Sequence, residues 1–282
     1  MNYMGGFSVS IASMIKGFMK HKVIYIVLMS CLLSLHASAQ QTGRVYTTSE
    51  AMDGDGTGVL RLFPSKSFKH ADPFILLDDF SVSPPAGFPS HENKGFEAIT
   101  YMIAGGFVHK DNLDNNDTIV EGQLQRFTAG RGLIHSEMPG TIAMNKGLQL
   151  WLNIPTATKQ TEPTYQSVAF LSTESIDSTR IVRTIVGEGS PLKVNCGCNL
   201  SYLDVQLKND SISFSPISGY TSFIYVIEGA IQIENKKMIV REFYFLEADI
   251  THTIIGNGNA LFVYLSAKPF NQPIKQRGPY VY

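Results

Sequence analysis

The chain reads as an all-β protein built from two tandem jelly-roll barrels. Three observations predict this. Helical periodicity is scarce after residue 40, short apolar or alternating runs bounded by Gly, Pro and Asn recur, and two of those runs repeat one another. Residues 99–102, 124–127, 148–154, 223–227 and 260–265 have the length and pattern of strands. Ile99-Thr100-Tyr101-Met102-Ile103-Ala104-Gly105-Gly106 matches Phe223-Ile224-Tyr225-Val226-Ile227-Glu228-Gly229-Ala230, with Tyr at the same offset and a glycine where the chain must turn. After each copy come a second strand, a stretch ending in His135 or His252, and a closing apolar strand. A duplicated set of short antiparallel strands suits two barrels whose sheets fold face to face and so limit exposed edges. The boundary is expected within 156–163, where Thr, Lys, Gln and Pro replace the apolar pattern. That gives an N-terminal half over 40–160 and a C-terminal half over 161–282.

Residues 1–39 have the parts of an export signal. Lys16, Lys20 and Lys22 precede an apolar run over 23–35, and Ala37-Ser38-Ala39 supplies an A-x-A site, so cleavage is expected after Ala39. The run is shorter than the ~20 apolar residues of a spanning helix, and no membrane span is expected in the mature chain. Lipidation at Cys31, preceded by Leu28-Met29-Ser30, is the alternative. A periplasmic or secreted protein is the expectation.

Of the 282 residues, 44% are hydrophobic and 17% charged, enough to bury a core and unlike a disordered chain. Loss of the three signal lysines moves the formal charge from −1 to −4, since 1–39 contains no Asp or Glu. Without a basic cluster, no nucleic-acid partner is expected, because phosphate backbones are bound through gathered Lys and Arg. A monomer is expected. Cys196 and Cys198 survive cleavage; a Cys-Gly-Cys ring is very tight, so two free thiols in a turn are expected.

Two segments concentrate metal-ligand residue types: Gly87-Phe88-Pro89-Ser90-His91-Glu92-Asn93-Lys94-Gly95-Phe96-Glu97, and Thr128-Ala129-Gly130-Arg131-Gly132-Leu133-Ile134-His135-Ser136-Glu137-Met138-Pro139. Along a strand, residues i and i+2 share a face, so His135 and Glu137 point together, as do His91 and Asn93, while Glu92 leaves by the other side. If the strands are neighbours, both pairs converge inside one barrel. Two imidazoles and a carboxylate match the ligand set of non-haem Fe(II) oxygenases. His109 follows the Gly105-Gly106 turn and reads either as a donor to a ligand or as a solvated turn residue. Arg131 reads as shaping the loop before His135 or as a surface ion pair.

Together with Asp72-Pro73-Phe74, Asp78-Asp79-Phe80, Tyr101-Met102 and the closing Lys268-Pro269-Phe270-Asn271-Gln272-Pro273 and Gly278-Pro279-Tyr280-Val281, these segments resemble the pirin family of bicupins over residues 44–282. The resemblance implies two cupin barrels, with a metal in the N-terminal one held by His-x-His and His-x-Glu, usually iron. His91, His135 and Glu137 match three of those positions; Asn93 stands at the fourth, where the family has its second histidine. The implied ligand set is therefore His91, Asn93, His135 and Glu137, with Fe(II) or another divalent transition metal bound less tightly, and Glu137 as the catalytic proton acceptor. The implied activity is that of a quercetin 2,3-dioxygenase-like oxygenase on a small phenolic substrate. The alternative is a non-catalytic binding or regulatory module. Glu97 is implied to orient the loop or a ligand rather than to bind metal. His252 stands without an H-x-H or H-x-E partner, so the C-terminal barrel is expected to be metal-free.

Overall fold

The computed structural model describes residues 42–66, 69–169 and 171–282. Residues 1–39, expected to be an export signal, lie outside them. The described residues form twenty-two strands and one 3-10 turn, Thr156–Thr158, so the all-β expectation holds. Residues 43–282 form one compact unit.

The N-terminal barrel has two layers. A four-stranded sheet runs in the order Phe88–Asn93, Leu133–Pro139, Gly106–Asp111 and Asn116–Val120. Facing it, a seven-stranded sheet has Phe96–Ala104 and Asn145–Asn153 near its centre, flanked by Leu124–Thr128 and Phe74–Val82. The C-terminal barrel is built on a nine-stranded sheet around two long strands, Thr221–Ile233 and His252–Ala267. Each of these bends so that its two ends pair with different neighbours: His252–Ala267 meets Ser201–Lys208 through its second half and Ser211–Phe214 through its first.

The halves exchange edge strands. Val45–Thr47 pairs with Glu242–Phe245 of the C-terminal barrel, and Thr164–Val168 pairs with Leu124–Thr128 of the N-terminal one. Strand pairing therefore crosses residue 160, and each barrel has an edge covered by the other half of the chain, which removes a template for aggregation. Between the barrels lies the largest core cluster, where Phe63 and Phe74 meet Phe223 edge-on at centroid distances of 5.7 and 5.1 Å. Edge-to-face packing of this kind adds to the burial of aromatic area.

The repeated tyrosines occupy equivalent places. Tyr101 lies two strands from Asp79, across Leu148, and Tyr225 lies two strands from Asp204, across Val263. Across the interface Tyr225 donates to Asp79 Oδ2 at 2.6 Å, and Tyr101 donates to Asp204 Oδ2 at 3.0 Å. A reciprocal pair of buried Tyr–Asp hydrogen bonds thus fixes one barrel on the other. Burial pushes both carboxyls above their usual range, against the pull of the tyrosine hydroxyls.

The expectation of two free thiols is corrected: Cys196 and Cys198 form a disulfide. Gly197 adopts φ +70°, a left-handed conformation open to glycine, and curls the chain until the two Cα atoms are 5.3 Å apart. Both cysteines are buried in the inter-barrel core.

Candidate metal centre

Alternation along Leu133–Pro139 puts His135 and Glu137 on the inner face, both buried, with Ile134 exposed. This strand sits between its two neighbours, so His135 is opposite His91 on one side and Asp111 on the other, and Glu137 is opposite His109. The Glu137 carboxylate reaches across to the larger sheet. Its Oε1 accepts from Thr100 Oγ1 and Gln125 Nε2, and its Oε2 accepts from Gln149 Nε2 at 2.8 Å. Three donors on three strands hold an acidic side chain that is 1% exposed.

The two predicted pairs do converge. The His91 and His135 rings lie 4.5 Å apart between centroids. His91 Nδ1 donates to the Pro89 carbonyl, leaving Nε2 as an acceptor for the Asn93 amide at 3.3 Å. That same amide nitrogen lies 2.7 Å from His135 Nε2, so Asn93 bridges the imidazoles, while its Oδ1 is buried with no partner among the described residues. Burial, with His91 and His109 as neighbours, holds His135 well below the usual imidazole value. It is neutral at pH 7, as a metal ligand must be.

His109 is no solvated turn residue. It is fully buried on Gly106–Asp111, and the ligand atoms of His109, His135 and Glu137 all lie within 4.8 Å of one another, the cluster of metal-ligand type found among the described residues. His91 and Asn93 are adjacent to this triad but not part of it. On His109, Nε2 is 3.1 Å from Asp111 Oδ2, a carboxylate that only accepts, so Nε2 carries a hydrogen. Its Nδ1 is buried without a partner among the described residues. Asp111 is itself held by Asn115 and the Leu113 amide. Burial would raise its pKa, but these bonds and that from His109 bring it below the usual range. A carboxylate fixing the tautomer of an imidazole is the usual support behind a metal-bound histidine. Alternation offered the signal: Phe107, His109 and Asp111 share a face, an H-x-D echo of His135-x-Glu137.

Beside the cluster lies a cavity of about 600 Å³ bordered by His91, Asn93, Glu137 and Gln149 on its polar side and by Leu76, Phe88 and Trp151 on its apolar side. Arg61 also faces it, with its guanidinium engaged by Asp53 and Asp78.

The other singled-out residues are placed as follows. Glu92 points away and accepts from Tyr280. Arg131 makes an exposed ion pair with Glu162 at 2.8 Å. Glu97 is fully buried and accepts the Asn195 amide on both oxygens, anchoring the disulfide loop to the N-terminal barrel. Burial moves its pKa up to about 7. In the C-terminal barrel, His252 contacts the Glu247 carbonyl through Nε2 and the Glu234 carboxylate through Nδ1, which occupies both ring nitrogens.

A family model described as Pirin matches residues 56–152, and one described as Pirin C-terminal cupin domain matches residues 202–282. A pirin-like protein from Solanum lycopersicum is 36% identical over 81% of this chain and 82% of its own length. The chain belongs to the pirin family. Pirin from Homo sapiens is similar at 34% identity over 82% of this chain and 84% of its own. Among solved structures, a quercetin 2,3-dioxygenase from Acinetobacter baumannii superposes with a TM-score of 0.77 at 27% identity, over 86% of this pirin and 91% of that chain. The bacterial pirin YhhW from Escherichia coli, solved in complex with nickel(II), shares the fold at a TM-score of 0.67 and 19% identity, over 80% and 99% of the two chains.

The residues present fit a divalent transition metal. Two imidazoles and a carboxylate converge, and two buried ring nitrogens, Nδ1 of His109 and of His135, have no partner among the described residues. Unpartnered buried polar atoms cost free energy unless something else satisfies them.

Proposed function

We propose that this pirin is a metal-dependent oxygenase acting on a small phenolic compound, its metal held by His109, His135 and Glu137 with His91 and Asn93 alongside. The observation that carries the proposal is the convergence of ligand atoms of His109, His135 and Glu137 within 4.8 Å of one another, with Asp111 holding Nε2 of His109 and its Nδ1 buried without a partner among the described residues. Iron is the metal proposed, and the quercetin 2,3-dioxygenase neighbour supports a flavonol-like substrate. When bound, such a metal supplies Lewis-acid activation of a substrate oxygen and, if it is iron, a meeting point for O₂ and substrate.

The remaining work falls to the chain itself. Trp151, stacked on Phe96 at 4.0 Å and donating to Gln149, presents a rigid aromatic wall to a planar ring. Phe88 and Leu76 exclude water from that side. Glu137 Oε2 accepts one hydrogen bond while Oε1 accepts two, so Oε2 is the oxygen with lone-pair capacity to take a phenolic proton. Export, supported by the signal pattern in 1–39, is part of the same reading and is checked by fractionation of cells making the full chain.

Elemental analysis of chelator-free protein beside a His135→Ala variant tests the proposal. Metal in the first and little in the second is expected; equal content in both sinks it. Oxygen uptake with quercetin that disappears in Glu137→Ala supports catalysis. A second reading, a binding module, is favoured by the Asn93 amide that bridges His91 and His135, and it predicts metal binding without oxygen uptake.

A further inference from the structure

The cavity beside the metal cluster is not made by the N-terminal barrel alone. The last residues of the chain form a small hairpin in which Gln276–Arg277 pairs with Tyr280–Val281, and Gln276, Gly278 and Pro279 border the same cavity as His91 and Glu137. From this placement we infer that the C-terminal hairpin is the specificity wall of the site, with Gln276 and Pro279 deciding how large a planar polyphenol can reach the metal residues. The inference rests on the reading of the cavity as a substrate site.

The hairpin is held firmly. Lys94, one residue after Asn93, gives its amide to the Pro279 carbonyl at 3.1 Å and accepts the Val281 amide at 2.9 Å. Val281 is 2% exposed and packs in the cluster that includes Phe96, Phe127 and Trp151. Gly95 adopts φ +79°, and a Cβ there would collide with the Val281 carbonyl. The tail thus needs glycine at the turn that follows Asn93. Tyr280 donates to Glu92 at 3.1 Å, tying the hairpin to the face of the His91 strand opposite the cluster.

These contacts fix the wall, while Gln276 and Pro279 remain only partly buried at its inner edge. A carboxamide and a flat pyrrolidine ring suit the polar rim and apolar face of a polyphenol. A volume of about 600 Å³ lies within the range of sites for drug-sized ligands. On this inference a single catechol ring engages the hairpin less than a multi-ring compound, which presents a longer edge to it. Chemistry from the N-terminal barrel and substrate choice from the C-terminal segment therefore meet in one cavity.

The chain's single tryptophan, Trp151, borders this cavity and reports occupancy by its fluorescence. Full-length protein and a Gln276→Phe variant are titrated with quercetin and with catechol. The larger side chain should raise the quercetin Kd by about tenfold, the scale of a steric mismatch in a pocket, and leave the catechol Kd unchanged. Equal changes for both probes, no change for either, or no binding to the parent protein would overturn the inference. Tyr280→Phe, which removes only the tie to Glu92, should weaken quercetin selectively in the same direction. A variant that keeps the parent ratio of the two Kd values counts against the inference. Both titrations are repeated on chelator-stripped protein, and metal content is measured separately. If protein purified without chelator holds no metal and takes none up, and the Kd ratio still shifts, the oxygenase proposal fails and the hairpin's role stands.

Discussion

Replacing Asp111 by Asn tests the placement of the His109 proton with almost no change in shape. Asp111 Oδ1 accepts from the Leu113 amide at 2.9 Å and the Asn115 amide at 3.1 Å, while Oδ2 faces His109 Nε2 at 3.1 Å. Both backbone donors require an oxygen at the first position, so an asparagine there turns its amide nitrogen toward His109, and the Asn115 side-chain amide, which donates to that position in the parent, must rotate to present its oxygen. A nitrogen that donates to Nε2 favours an imidazole proton on Nδ1, so that Nδ1 offers no lone pair to a metal. Loss of such outer support typically lowers metal affinity by roughly 10–100-fold, which is about 1.4–2.8 kcal/mol at 1.4 kcal/mol per decade. Calorimetric titration of chelator-stripped protein with Fe(II) under anaerobic conditions, or with Ni(II), reads the change, and thermal denaturation of the metal-free protein verifies that the fold is kept. Parent-like affinity in Asp111→Asn would refute the reasoning, because it would show that His109 Nδ1 is not a ligand.

The reciprocal tyrosines make a stability prediction. Tyr225→Phe leaves the buried Asp79 carboxyl without its hydroxyl donor and should cost about 1–3 kcal/mol, whereas Tyr101→Phe should cost less, because Asp204 keeps Arg183 at 2.9 Å; urea denaturation compares them, and equal effects would contradict the account. Glu97, raised by burial from the ordinary carboxyl value of about 4.5 to about 7 in the fold, predicts a pH dependence. Its contribution is fully present below about 4.5 and is lost as pH rises through about 7, on the order of 3 kcal/mol. Glu97→Gln should flatten the stability profile between those limits in denaturant titrations at fixed pH, and an unchanged slope would show that Glu97 is not its source.

Much of this arrangement could be read from the sequence, because strand alternation is a local property. His135 and Glu137 share a face in any register, and the tyrosine repeat foretold two equivalent barrels. Asn93 was legible as a departure, although its bridging of two imidazoles follows from the His91↔His135 register, a long-range fact. His109 follows a Gly-Gly turn, where exposure is the usual fate, so the sequence alone leaves its burial open. Its burial depends on the flanking Leu133–Pro139 strand and on Tyr165, which stacks on it at 4.3 Å from a strand beyond residue 160. The disulfide depended on Gly197 taking a left-handed conformation, and the closing hairpin's place at the cavity depended on Gly95 admitting Val281. Neither conformation is encoded by residue type alone.

The central claim, that one ion sits among His109, His135 and Glu137, is tested most directly by anomalous diffraction at the metal's absorption edge from crystals of metal-loaded protein. The account predicts a single peak at ~2.0–2.2 Å from a ring nitrogen of His109, a ring nitrogen of His135 and a carboxylate oxygen of Glu137. A peak bound by His91 and His135 with His109 out of reach, or no peak inside the N-terminal barrel, would contradict it.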